Sequence, residues 1–265
     1  MSRIALFLAL NAALFAPAAL AQTKTAPPAA ASAAPTVDPR ATAALEKMGA
    51  HLRSLKHFGL HADTAIDLVM EDGQKLEFPG TVDYKVRAPN GLQVDVKSDR
   101  KERQMFFDGK TLTVYAPKMK YYASVDAPGT IHDLLSTAQD DFGIELPLAD
   151  LFLWGTPQAS KSAIQSAVFV GPARVDGSVT EHYAFRQQDV DWQVWIEVGD
   201  KPLPRRLVIT TTDDPALPQY AATLDWNTNA TFKDSSFTFA PSKDAQRIQL
   251  AEVDVVVVED KEGTP

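Results

Sequence analysis

The chain has 265 residues, no cysteine, and 26 Lys and Arg against 34 Asp and Glu, for a formal net charge of -8. A surface of that sign repels phosphate backbones, and no basic cluster interrupts it, so nucleic acid is excluded as an expected partner. Without cysteine there is no disulfide, no thiol nucleophile and no residue for a lipid anchor at a cleavage point, and packing alone must hold the fold.

Arg3, the apolar run Ile4 to Phe15 and the small residues Ala19 and Ala21 form the three parts of a cleavable secretory signal over residues 1–21, with cleavage expected between Ala21 and Gln22. The run is broken by Asn11, is followed by Pro17 and falls short of the roughly 20 residues of a spanning helix. No later segment reads as transmembrane, so a protein working outside the cytoplasm is expected. Residues 22–37 are mostly Ala, Pro, Thr and Ser, a leader with no apolar periodicity.

One folded domain is expected over residues 38–250. Asp38 and Pro39 read as an N-cap and first helical position, and Ala41, Leu45, Met48, Leu52 and Leu55 predict one amphipathic helix ending near His57. A strand over Ala62 to Met70 follows, then hairpin signals at Asp72-Gly73, Asn90-Gly91 and Asp108-Gly109. Between and after them alternating segments hold Val82, Tyr84 and Val86, then Leu92, Val94 and Val96, then Met105 to Phe107 and Thr111 to Tyr115. This is an antiparallel meander with one apolar and one polar face.

The rhythm then breaks. Ile131, Leu134, Leu135 and Ala138 have helical spacing, and Leu146, Leu148, Leu151, Phe152 and Trp154 form a second, very apolar helical patch after Pro147. Strands resume at Val168 to Val170, His182 to Arg186, Val190 to Val198, Leu207 to Thr211, Tyr220 to Trp226 and Phe237 to Phe239, for ten or eleven in all. Residues 251–265 read as a last edge strand at Val255 to Val258 or as a loose acidic tail.

Signals for chemistry are sparse. No nucleophile elbow, P-loop, dinucleotide-binding glycine motif or zinc-helix motif occurs, and neither a cofactor nor a metal is expected. His57 and His61 would suit two ligands on one helical turn, but they sit where helix gives way to strand, and ordinary polar surface is the plainer reading. Asp63 and Asp67 share a strand face with His61, and acids on a wet face do acid-base work only when a pocket brings them together. Trp195 sits among Asp191, Gln193 and Glu197, where a polar residue is expected; either another element covers it or it offers a contact to a ligand or partner.

Four motifs carry a family resemblance: Phe107-Asp108-Gly109 opening the strand Lys110 to Tyr115, then Asp191-Trp192-Gln193-Val194-Trp195-Ile196-Glu197, Lys201-Pro202-Leu203-Pro204-Arg205-Arg206-Leu207, and Phe237-Thr238-Phe239-Ala240-Pro241. In this order they resemble the LolA, LolB and LppX superfamily of periplasmic lipoprotein carriers. The chain most resembles the branch described as predicted periplasmic proteins with a domain of unknown function. The resemblance implies a mainly β (α+β) fold, one curved antiparallel sheet forming an incomplete β-barrel with short helices over its concave side. It implies a noncatalytic periplasmic carrier or binding protein for a lipid, acyl chain or other hydrophobic ligand, with no catalytic residue.

On that basis the lining is assigned to Val82, Tyr84, Val86, Leu92, Val94, Val96, Trp192, Val194 and Leu207, and the lid to Leu134, Leu135, Leu151, Phe152 and Trp154. No counterpart of the arginine that latches the lid in the true carriers is matched, and no role passes to Arg205 or Arg206. The alternatives are an envelope sensing or interaction module with a protein partner, and a hydrolase with an unrecognised site.

Overall fold

The computed structural model describes residues 36–156 and 163–250. The signal segment, nearly all of the leader and the valine run Val255 to Val258 lie outside the described residues. Asp38 caps helix α1 (Pro39–Ser54), its carboxylate accepting from the Arg40 N–H at 2.9 Å. The helix stops at Ser54 rather than near His57, because Leu55 already has extended backbone and β1 begins at His57.

Strand β1 (His57–Val69) opens a run of antiparallel hairpins: β2 (Lys75–Arg87), β3 (Gly91–Ser98), β4 (Glu102–Phe107), β5 (Thr111–Ala116) and β6 (Tyr121–Asp126). After helices α2 (Ile131–Asp140) and α3 (Asp150–Leu153), the second run is β7 (Ser166–Val175), β8 (Ser178–Gln187), β9 (Val190–Glu197), β10 (Pro204–Thr211) and β11 (Gln219–Asn227). A 3₁₀ turn at Asp234–Ser236 and the two-residue strand β12 (Gln246–Arg247) finish the described chain. All twelve strands form one sheet, in the order β12-β6-β5-β4-β3-β2-β1-β11-β10-β9-β8-β7, joined at its centre where β1 pairs with β11. Its ends, β12 and β7, are not bonded to each other, so the sheet is open. A twisted open sheet of this width curls rather than lying flat.

Register explains why one face is apolar from end to end. Val94, Tyr84, Leu60 and Trp226 are cross-strand neighbours along one row, and Ala222, Leu207, Val194, Tyr183 and Phe169 along another. Side chains alternate along each strand, so these rows all point to one side. The helices lie on that side: Phe152, just inside α3, packs its ring 5.7 Å from Tyr84 and 6.3 Å from Phe58, while Ile131, Leu134, Leu135 and Ala138 of α2 join the same core. Helix α2 starts with a capping box, Thr130 Oγ1 accepting from the Asp133 N–H and Asp133 accepting from the Thr130 N–H.

Two expected elements differ. The apolar patch from Leu146 to Trp154 holds one helical turn only, since Leu148 takes φ +60 and breaks the winding, although Leu146, Leu148, Leu151 and Trp154 are all buried. Phe237 to Phe239 is not a strand. It is a strap across the outer face of β4, β5 and β6, with Phe239 at 4.9 to 5.4 Å from Phe106, Tyr115 and Tyr122, and it delivers β12 to pair in parallel with β6. His57 and His61, read as polar surface, are both exposed on one extended strand, where four residues span about 13 Å, too far for two ligands of one ion.

The outer face is held by polar pairs. His61 Nδ1 sits 2.7 Å from Asp83 Oδ1, and Asp67 bonds Lys75 at 3.2 Å and accepts from the Gln219 N–H at 3.0 Å. Trp195 is covered by neighbouring side chains: its ring stacks on His182 at 4.0 Å, and the Arg206 guanidinium lies over it at 5.6 Å. Burial holds the His182 imidazole below its ordinary pKa, in keeping with a neutral ring on the indole.

Two predictions follow from these contacts. Gly49 is buried in α1, and a Cβ there would stand 2.9 Å from the Trp154 carbonyl oxygen. Replacing a mid-helix glycine by alanine gains up to about 1 kcal/mol of backbone entropy, but overpacking costs about 1–3 kcal/mol. Gly49→Ala is therefore expected to lower stability in urea unfolding, and a raised midpoint would contradict this packing of α1 on Trp154. The hydrogen bond that His61 donates to the Asp83 carboxylate raises the pKa of His61 above its ordinary value. A raised folded-state pKa adds stability that is complete below the unfolded-state value and is lost as pH climbs through the folded one. The pair is nearly half exposed, so the gap between wild type and His61→Gln should stay below about 1 kcal/mol, largest at mildly acidic pH and vanishing on the alkaline side. A gap that widens with rising pH would refute the pairing.

Candidate functional site

The apolar face is not filled evenly. Beneath α1 and the turn after α3 lies a cavity of about 410 Å³, within the range of roughly 300–1,000 Å³ typical of small-molecule sites. Helix α1 supplies Thr42, Leu45 and Glu46, which share one helical face at spacings of three and four. Asp150, Leu153, Trp154 and Gly155 form a second wall, with Ala163 and Ile164 beside them. The floor is sheet: Gln187, Val190 and Trp192 from the β8–β9 hairpin, and Leu207 and Ile209 from β10.

The second wall is fixed to α1 by a clamp. Arg53 Nη1 donates to the Trp154 carbonyl oxygen at 3.0 Å, and its guanidinium occupies the space where a Cβ on Gly155, at φ +76, would stand. Only glycine both adopts that backbone and leaves room for the arginine. On the floor, Trp192 is sandwiched, 4.1 Å from Phe185 and 6.0 Å from Trp154, and its indole N–H donates to Gln187 Oε1 at 3.0 Å. The aromatic floor is thus held in one orientation.

Of the two acids that line this space, Glu46 is exposed and Asp150 is partly buried. Burial pushes the Asp150 carboxyl above the usual carboxylate range, and among the described residues only its own backbone N–H bonds to it. Close by, burial and then the Asp150 charge push the Tyr220 phenol upward, and among the described residues the buried Tyr220 hydroxyl has no hydrogen-bond partner. Burial likewise raises the Tyr84 phenol, whose hydroxyl donates to the Pro147 carbonyl oxygen. Among the described residues no three His, Asp or Glu side chains are placed to hold a metal ion, and no helix is long and apolar enough to cross a membrane.

Of the residues assigned from the sequence, Trp154, Trp192 and Leu207 line the cavity. Val82, Tyr84, Val86, Leu92, Val94, Leu134, Leu135, Leu151 and Val194 are buried in the solid core, and Val96 and Phe152 pack against its edge. Sequence reasoning missed Leu45, Asp150 and Ile209. Ile209 alternates with Leu207 on β10, so the two-residue period already placed it on the inner face. The signal at Asp150 was a charged residue inside an otherwise apolar stretch. Arg205, given no role, bonds Glu197 at 2.7 Å on the outer face.

Solved structures similar to the chain include the lipoprotein LppX of Mycobacterium tuberculosis, at 15% identity and TM-score 0.45, covering 72% of this chain and 96% of that one. A LolA superfamily protein of Nitrosomonas europaea matches at 11% identity and TM-score 0.35, covering 75% and 97%. MucB, solved in complex with MucA, matches at 12% and 0.40, covering 78% of this chain and 62% of that one. No curated protein matches the sequence. The model of the family described as predicted periplasmic protein (DUF2092) matches residues 41–251, most of the sequence, and the chain belongs to that family.

Proposed function

We propose that the protein is a noncatalytic periplasmic carrier or binding protein for a hydrophobic molecule, a lipid or acyl chain, held between the sheet and the helices over it. The observation that supports this reading is the cavity of about 410 Å³ walled by Leu45, Leu153, Trp154, Trp192, Leu207 and Ile209. Aliphatic and aromatic walls of this kind release water readily, and an apolar guest gains about 25 cal/mol for each Å² it buries. The cover also supports it. Helix α3 is one turn long, too short to persist without its docking contacts, so a guest of similar apolar area can replace it at small net cost.

In this reading Trp154, Trp192 and Leu207 meet the guest first. The buried row of Val82, Tyr84, Val86, Leu92, Val94 and Val194 becomes lining for a longer chain only as α2 and α3 move aside. A second reading, an envelope sensing or interaction module on the same scaffold, is favoured by the edge strand β7, which the segment before α1 bridges only at Ala167 and where Val168 and Val170 are exposed.

Purified, delipidated protein should bind the neutral dye Nile red with a rise in fluorescence. The cavity-filling changes Leu45→Trp and Ile209→Phe should each weaken it about tenfold or more while thermal melting stays close to wild type. Native mass spectrometry of protein taken from cells should show a bound lipid. Dye binding that ignores both substitutions, with no lipid carried from cells, would overturn the carrier reading, and a photo-crosslinker at Val170 that captures one envelope protein would favour the alternative.

A further inference from the structure

The apolar inner face of the sheet continues past the helices that cover it. On β1 and β2 the inward residues Leu60, Ala62, Val82 and Tyr84 are each no more than 3% exposed. The same alternation runs on, with no shift of register, to Ile66 and Leu68 on β1 and Leu76 on β2, with Met70 just past the end of β1. Ile66, Leu68, Met70 and Leu76 are 45%, 39%, 47% and 36% exposed, and Leu68 and Leu76 are direct cross-strand partners. Strand lengths explain the change. β1 and β2 have 13 residues each, whereas among the described strands β11 pairs with β1 only as far as Ile66, and β3 pairs with β2 only from Gly80. The tip of this hairpin is therefore a two-stranded ribbon that keeps an apolar face. Large apolar side chains exposed together in this way mark a contact surface.

Register ties the strip to the cavity. Trp192 and Ile209, both in the lining, are followed on successive strands by Tyr220, Ile66 and Phe78, all partners in one row. Ile66 is two strands from Ile209, about 10 Å. The Arg100 guanidinium lies over Phe78 at 4.9 Å and bounds the strip on its far side. The cavity itself, at about 410 Å³, is near the lower end of the range for small-molecule sites, so a long chain with one end inside leaves the rest outside. The first apolar surface such a chain meets is this strip.

We propose that, given the carrier reading on which this rests, the binding site runs from the cavity past Tyr220 onto Ile66, Leu68, Met70 and Leu76, and so selects guests whose apolar chain is longer than the cavity can enclose. A methylene laid on the strip leaves water and covers apolar protein surface in the same step, which adds up to about fourfold in affinity for each one buried. A chain short enough to fit inside the cavity gains nothing from the strip.

The experiment is displacement of Nile red from the full chain by octanoate, dodecanoate and hexadecanoate, each below its micelle concentration, so that chain length varies while the head group stays constant. In the double variant Leu68→Gln with Leu76→Gln, the affinity for octanoate should stay within about twofold of wild type, and that for hexadecanoate should fall about tenfold or more. Both side chains are exposed and neither change alters the net charge, so the fold should be kept. Met119→Gln, at an exposed methionine in the β5–β6 turn, should leave all three affinities unchanged. An equal loss for all three chains in the double variant, or no loss for any, overturns the strip proposal and leaves the carrier reading standing. A wild type that sediments as a dimer beside a monomeric double variant, with the same chain-length dependence in both, assigns the strip to a second copy and also overturns it. A protein that binds neither the dye nor any of the three chains overturns the carrier reading and this proposal with it.

Discussion

An open sheet with one unbroken apolar face has to cover that face with something other than itself. Closure would have let the rows through Tyr84 and Leu60 meet those through Val194 and Tyr183 and fill the interior from the strands alone. With β12 and β7 unjoined, the cover comes from α1, α2 and the single turn of α3. A sheet offers a continuous surface, and the three separate helical pieces over this one leave a gap. The cavity lies at such a gap, where α1 and the Trp154–Gly155 turn meet above β9 and β10.

The two faces of the sheet show opposite treatment of polar groups. Outside, charges are paired at short range in places where water screens what remains: Arg186 with Asp191, Arg205 with Glu197, His61 with Asp83. Those pairs fix register and solubility more than stability. On the inner side the Tyr220 hydroxyl is buried without a hydrogen-bond partner among the described residues, and Asp150 has only its own backbone N–H among them. Native interiors seldom tolerate this, and exceptions concentrate where a ligand supplies the missing contact.

Much of the architecture was legible because each strand repeats a two-residue pattern and each hairpin carries its own turn chemistry. Asp72-Gly73, Asn90-Gly91 and Asp108-Gly109 all fall at hairpin connections, and Asp38-Pro39 begins α1. What failed was local pattern under tertiary override. Leu146 to Trp154 has helical spacing, but burial of each apolar side chain here needs a broken path with Leu148 at φ +60. Phe237 and Phe239 alternate as a strand would, yet they anchor a strap, Phe237 fully buried and Phe239 seated on three rings of the outer face. The site was less legible still. Leu45, Asp150, Trp192 and Ile209 come from α1, α3, β9 and β10. Periodicity assigns a residue to the inner face without saying whether a side chain or a hollow lies above it, so Val94 and Leu207 read alike, although only Leu207 borders the cavity.

The central claim is that a hollow with apolar walls lies between the sheet and its helical cover. Xenon occupies such spaces under modest pressure, and crystals exposed to it give the most direct test. The account predicts xenon density bounded by Trp154, Trp192, Leu207 and Ile209. Crystals with no xenon there, and with α1 and the Trp154 turn packed down onto β9 and β10, would contradict it.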